Sequence, residues 1–221
     1  YVNITSNRVN TIIGSIEVYN ARYATVQSNN VSAGLSLQYM NSSTVRYNNV
    51  SSTNYGALYL GAAFNNTVEN NTVYSAAYGA LYLISSNDNL LQYNNATSPN
   101  YGLVLQTNAN NNTVRFNMFN GSDTIAVILI DGSKSNYIVN NTLYSPAIAI
   151  HYDSATPGNN TFLQNNITAA VWVNNDLNGT NKYNDSTIGN IYYFANNTPS
   201  WDVYEIYDNN SDNWADSGNA I

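Results

Sequence analysis

The sequence predicts an all-β solenoid of about nine coils, three short strands to the coil, threaded by ladders of asparagine. Three observations carry this. A motif reading apolar–x–x–Asn–x–apolar returns nine times, with first anchors at residues 4, 26, 45, 68, 91, 114, 138, 162 and 183. A further run of three to five β-branched, leucine or aromatic residues follows each copy. No stretch of any length shows a helical period. Steps of 19 to 24 residues between anchors are the mark of coils stacked one on the next, with small insertions in the turns.

The motif copies run Ile4…Asn7…Val9, Val26…Asn29…Val31, Val45…Asn48…Val50 and Val68…Asn71…Val73. They continue as Leu91…Asn94…Ala96, Val114…Asn117…Phe119, Ile138…Asn141…Leu143 and Phe162…Asn165…Ile167, with a degenerate ninth at Tyr183…Ser186…Ile188. The two anchors of a copy mark two short strands that meet at the asparagine. The third strands, often opened by glycine, are Gly14–Val18, Gly34–Leu37, Gly56–Leu60, Gly79–Leu83 and Gly102–Leu105, then Val127–Leu129, Ile148–Ile150, Val171–Val173 and Ile191–Tyr193. Such coils stack only if each strand pairs in parallel with its counterpart about 4.8 Å along the axis. Equivalent residues then align, and Asn7, Asn29, Asn48, Asn71, Asn94, Asn117, Asn141 and Asn165 form a ladder of amides. Asparagine suits the turn because it tolerates the left-handed backbone region. A second ladder lies two residues before the anchors: Asn66, Asn89, Asn112, Asn136, Asn160 and Asn181.

Over residues 2–194 these motifs resemble the right-handed parallel β-helix repeat family of the pectin-lyase-like superfamily, with its N-x-(I/V)-x-x-N-x-(I/V)…G-(I/L)-x-L pattern. The wording of the repeats is also similar to archaeal-type cell-surface or sheath β-solenoid proteins. The resemblance implies a right-handed helix. It leaves function open, since the family includes polysaccharide lyases, hydrolases, epimerases, phage tailspikes, adhesins and surface proteins. The expected organisation is a β-helix over 1–194 and a non-repeat tail over 195–221. That tail carries Trp201, Val203, Tyr204, Ile206, Tyr207 and Trp214, and is expected to pack on the solenoid or on a neighbouring subunit.

Composition narrows the partners. Hydrophobic residues make up 43% of the chain and charged ones only 9%, the difference being filled by asparagine, about a fifth of all residues, and 20 tyrosines. A formal charge of −7 with six Lys+Arg argues against nucleic acid, whose binding needs clustered cations. No polybasic run suits an anionic membrane surface, and no segment reads as a membrane span or signal peptide. With no cysteine, disulfides and thiolate metal sites are unavailable. The start at Tyr1, already inside a repeat, is read as a processed chain or a fragment.

Catalytic chemistry is not foreseen. The nearest approach to a site is Asp131 and Asp153 after third strands of adjacent coils, with His151 and Lys134 close in sequence. Two carboxylates so placed suit glycoside hydrolysis. Yet Asp131-Gly132 is a turn dipeptide and Asp153-Ser154 opens a loop, so solvated turns are the expectation. No catalytic residue, cofactor or metal is assigned. Arg46 and Glu69 occupy one outward row with Gln92 and Arg115, and Arg46 with Glu69 is expected to form a surface ion pair.

Two exterior features point to function. Asn-x-Ser/Thr begins at Asn3, Asn30, Asn41, Asn49, Asn65, Asn70, Asn95, Asn111, Asn120, Asn140, Asn159, Asn166, Asn178, Asn184, Asn196 and Asn209. Sixteen is about double the roughly eight that composition alone supplies. The outward slots of the third strands read Glu17 and Ser36 and then turn apolar: Tyr59, Tyr82, Val104, Ile128, Ala149, Trp172 and Tyr192. Tyr59, Tyr82, Val104, Ile128, Trp172 and Tyr192 are therefore the candidate self-association stripe, covered either by the tail or by a second copy. The expectation is a secreted, N-glycosylated, extracellular or cell-surface β-solenoid that forms a sheath, envelope or filament. A carbohydrate-active enzyme centred on Asp131 and Asp153, or an adhesin that reads sugars with Tyr59, Tyr82 and Trp172, are the alternatives.

Overall fold

The computed structural model describes residues 2–9, 15–53, 56–154, 157–176, 180–185 and 188–193. The tail, and with it the expected boundary at residue 195, lies outside these residues. Among them the secondary structure is all strand, in three parallel sheets of eight, nine and eight strands wound as a right-handed solenoid. The first sheet runs from Asn3–Thr5 to Thr161–Leu163, the second from Arg8–Val9 to Ile191–Tyr193, and the third from Ile16–Tyr19 to Val171–Asn174. Every pairing joins a strand to its counterpart one coil away, as Thr67–Glu69 joins Leu90–Gln92 with Val68 opposite Leu91. Strands of two to six residues suffice because each is extended sideways through the whole stack.

The anchors point inward and make the core. Val26, Val45, Val68, Leu91, Val114, Ile138 and Phe162 from the first sheet are fully buried. They meet Val31, Val50, Val73, Ala96, Phe119, Leu143 and Ile167 from the second and Leu35, Leu58, Leu81, Leu103, Val127, Ile150 and Val173 from the third. The interior is thus seamed by rows of like residues at coil spacing.

From Asn29 to Asn165 in the first ladder and from Asn66 to Asn160 in the second, the ladder asparagines are buried polar groups, and the stack satisfies each of them. Asn94 donates from Nδ2 to Val68 O and to Asn117 Oδ1, both at 2.9 Å, and from its backbone N–H to the same Oδ1 at 2.8 Å. Its own Oδ1 accepts from the backbone N–H and Nδ2 of Asn71 at 3.0 and 2.9 Å. The second ladder repeats the pattern, with Asn89 donating to Asn112 Oδ1 and to Ala63 O. Serine enters that row at Ser43, whose Oγ accepts from the Ala24 N–H while its own N–H donates to Asn66.

The left-handed residue at the turn is not the ladder asparagine, contrary to the sequence expectation, but the residue before it. Ser6, Ser28, Tyr47, Asn70, Tyr93, Phe116, Asn140 and Gln164 all have φ between 54° and 57°. One left-handed residue swings the chain through the corner, and the asparagine after it returns to ordinary backbone with its side chain directed inward. The second ladder is entered the same way, through Asn65, Asp88, Asn111, Ser135 and Asn159.

The last coil departs from the repeat. Asn190, not Ser186, continues the first ladder, its Oδ1 accepting from the N–H and Nδ2 of Asn165 at 2.9 Å each. Ile191–Tyr193 follows that asparagine into the second sheet, pairing with Asn166–Thr168, and is not the third strand expected of it. Asn181 closes the second ladder beneath Asn160 and also donates to Asp176 Oδ1 at 2.7 Å. Tyr183 stacks on Phe162, its hydroxyl donating to Asp176 Oδ2 at 2.8 Å while its Oη lies in hydrogen-bond contact with Tyr152 Oη at 3.0 Å. Burial raises the Tyr183 hydroxyl pKa far above its usual value, with Tyr152 and Asp176 adding to the effect, and burial pushes Tyr192 up to about 12.

The ladder geometry sets the cost of breaking a rung. Asn94→Ala strips Asn71 of its acceptor and leaves Val68 O without its side-chain donor inside the stack, which destabilises by about 2–4 kcal/mol. Urea unfolding followed by far-ultraviolet circular dichroism is expected to show this as a lowered midpoint, whereas Asn95→Ala, one residue outward, leaves the midpoint within error.

Candidate functional site

Outside the coil the third sheet carries a second apolar cluster, separate from the interior. Tyr82, Val104, Ile125, Ile128 and Ile130 are buried in it, and Tyr59, Tyr78, Ile84, Tyr101 and Ile148 pack around them half-buried. Register explains how the row forms: Tyr59 lies opposite Tyr82, Tyr82 opposite Val104, and Val104 opposite Ile128. The tyrosine rings meet edge to face, Tyr59 with Tyr82 at 5.3 Å and Tyr78 with Tyr101 at 5.1 Å. Missing side chains on the neighbouring positions make room. A Cβ on Gly79 would stand 2.7 Å from Val104 Cγ2, and one on Gly61 would stand 2.8 Å from the Tyr59 ring. Toward the first coils the row ends in Ser36 and exposed Glu17.

Trp172 and Tyr192 are not part of this face, which corrects the stripe expected from sequence. The register runs Ile128 to His151 and His151 to Asn174, so the outward row turns polar where Ala149 and Trp172 were placed. Tyr152 takes the inward slot opposite Leu129, two residues later than the expected inward pair. Trp172 belongs to the interior cluster, with its ring 5.0 Å from Tyr192 and its Nε1 donating to Tyr193 O at 2.9 Å. Tyr192 faces inward opposite Ile167.

At the C-terminal margin of the face stand the carboxylates singled out in the sequence. Tyr82 donates to Gln106 Oε1, and Gln106 Nε2 reaches Asp131 Oδ2 at 3.4 Å. His151 Nε2 lies 4.0 Å from Asp153, while its Nδ1 is buried with no hydrogen-bond partner. Burial holds the His151 pKa below its ordinary value and Asp153 offsets this only in part, so the ring is neutral at pH 7 and its contact with Asp153 is not an ion pair there. Lys134 is exposed in the following turn, its N–H donating to Asn110 Oδ1. Among the described residues no three His, Asp or Glu converge as a metal-binding group.

The expected Arg46–Glu69 pair does not form, although the two residues are in register. Arg46 Nε donates instead to Gln27 at 2.9 Å, and Glu69 accepts from Gln92, which in turn accepts from Arg115. Arg46, Gln92 and Arg115 each lean toward the preceding coil, so the row is stitched by planar amides rather than by opposite charges. Of the sixteen sequon asparagines, Asn178, Asn196 and Asn209 lie outside the described residues, and none of the other thirteen is buried. The ladder asparagines beside them, from Asn29 to Asn165, are all buried. Sequence reading missed one exterior pattern: Tyr23, Tyr39, Tyr47, Tyr93 and Phe116 are large, exposed side chains at left-handed turn positions.

No curated protein matches the chain. Among solved structures, the Azotobacter vinelandii mannuronan C-5 epimerase AlgE6 A-module superposes with a TM-score of 0.49 at 12% identity, over 84% of this chain and 59% of that one. The chain therefore spans less than two thirds of the structure it matches, and the epimerase activity is that protein's. Residues 1–143 match the family described as "Right handed beta helix region", well over half of the sequence, and the chain belongs to that family.

Proposed function

We propose that this chain is a structural β-solenoid of an extracellular or cell-surface assembly, secreted and N-glycosylated, that associates with copies of itself through the outer face of the third sheet. The observation that carries the reading is the second apolar cluster, built on the wall of the coil and bounded by polar residues at both ends of its central row. Its outward row runs Tyr59, Tyr82, Val104, Ile128, and the part of the cluster open to a partner is its half-buried rim, Tyr59, Tyr78, Ile84, Tyr101 and Ile148. A second copy offers the same rows at the same rise, and a symmetric contact sets the same patch of both copies face to face. The low charge content leaves little repulsion to oppose it.

Tyr59 is the place to test this, because it sits at the rim of the cluster and not in the coil interior. Tyr59→Asp puts a charge where association must desolvate it. Sedimentation velocity and electron microscopy are expected to show assembly lost while circular dichroism stays β-rich. Assembly that survives the change, or a parent chain that is monomeric throughout, contradicts the reading. If the change leaves assembly intact but opens residues 195–221 to protease, the tail is the cover instead. Polysaccharide turnover abolished by Asp153→Asn would move the carbohydrate-active alternative ahead.

Glycan attachment is tested separately. Asn65, Asn111 and Asn159 are exposed left-handed turn residues standing just before the second ladder in alternate coils. Mass spectrometry of native material is expected to find them occupied, and bare asparagine at all three would remove the glycosylated-surface reading.

A further inference from the structure

The turn edge between the first and second sheets holds a slot that neither the core nor the outer face explains. Tyr47, Asn70 and Tyr93 occupy the same position in three successive coils, as the pairings of the residues just before them show: Arg46 with Glu69 and Glu69 with Gln92. Tyr47 is 56% and Tyr93 52% exposed, with exposed Asn70 between them. All three are left-handed, at φ of 54°, 54° and 57°. Asparagine takes that conformation readily, but a tyrosine there gives up roughly 1 kcal/mol of backbone preference. The rings stand at the corner without any gain in core packing.

Their neighbours leave the slot open. The Arg46 guanidinium lies 5.7 Å from the Tyr47 ring centroid, yet its Nε is drawn to Gln27, one coil away on the side opposite Asn70. On the other flank Tyr93 stacks on Phe116 at 5.3 Å with the rings only 8° apart, so successive rings at this edge stack along the axis. The face of Tyr93 turned from Phe116 looks back over Asn70. Tyr47 and Tyr93 are two coil rises apart, roughly 9–10 Å. A pyranose ring held between two aromatic faces needs two carbon–carbon contacts of about 4 Å, close to that spacing. Asn70 makes no side-chain hydrogen bond among the described residues, and Asn70-Asn71-Thr72 is an acceptor sequon with Thr72 exposed beside it.

We propose that Asn70 is an N-glycosylation site whose first sugar is seated between the rings of Tyr47 and Tyr93. This rests on the reading of the chain as secreted and glycosylated, and adds a defined seat to it. In the attachment step the Asn70 amide nitrogen bonds to the anomeric carbon of a lipid-linked oligosaccharide pyrophosphate. The bond from that carbon to the pyrophosphate oxygen breaks, and the amide proton passes to the transferase base. Asn140 is the internal control: it fills the equivalent turn position, but its neighbours one coil away are Phe116 on one side and Gln164 on the other, so it lacks a second ring.

The test expresses the full chain through a secretory pathway that attaches N-glycans, maps occupancy by mass spectrometry, and measures thermal midpoints. Asn70 is expected to be occupied. Asn70→Gln should lower the midpoint by about 2–4 °C in the parent chain and leave it unchanged in a Tyr47→Ala/Tyr93→Ala background. Asn140→Gln should have the same effect in both backgrounds. Asn70 bare while Asn65 and Asn111 are occupied overturns the seat and leaves the glycosylated-surface reading standing. No acceptor occupied anywhere overturns both. Asn70 occupied, with an equal midpoint change with and without the two rings, refutes the seat alone.

Discussion

A buried asparagine amide needs partners for two donors and an acceptor, and among the described residues the coils one rise away supply most of them, with a carbonyl two residues back adding to some. That requirement organises the rest of the structure. Asn94 satisfies Asn71 and is satisfied by Asn117 and Val68 O. From Asn29 to Asn165 each rung bonds to the rungs on both sides, which holds the coils in one register. Fixing the amide at each corner fixes the anchor three residues before it and the one two residues after it, and both must then face inward. The variation in coil length is pushed into the turns, where loops of different size leave the rungs untouched.

The same constraint divides the exterior into surfaces of different character. The third sheet has no asparagine rung within its strands, so its outward slots are free to become apolar, and between Tyr59 and Ile128 they do. The corner between the first and second sheets is pinned by the ladder, and its outward residues are the left-handed position before the rung and the strand position after it. Acceptor asparagines collect in those two slots, at Asn70 and Asn140 before a rung and at Asn30, Asn49, Asn95 and Asn166 after one. The sequon asparagines and the apolar wall therefore lie on different sides of one coil.

Much of this was legible in the sequence because a ladder converts one-dimensional spacing into three-dimensional contact. The anchors, both asparagine ladders and the middle of the apolar row follow directly from the residue step. The failures share a cause. Counting strands by order within the coil placed Trp172 on the outer face and Ile191–Tyr193 in the third sheet. Counting from the rungs would have kept Tyr152 inward and marked Asn190-Ile191-Tyr192 as the ladder asparagine and the second-sheet strand after it. The insertion between Tyr183 and Asn190 hid that signal. The left-handed turn residues were illegible for another reason: tyrosine, phenylalanine and glutamine take that conformation here, against their intrinsic preference, because the stacked rungs on either side hold the corner.

Native-state hydrogen exchange tests the dependence on the ladder most directly. The backbone N–H groups of Asn71, Asn94 and Asn117 donate to side-chain oxygens of the next rung and not to a backbone ladder. If those rungs hold the coils together, these amides exchange as slowly as the strand amides of Val68 and Leu91, through the same global opening. Exchange of the three asparagines at the rate of exposed turn residues, with the strands still protected, would show that the amide ladder is a passenger of the stack and not what fixes it.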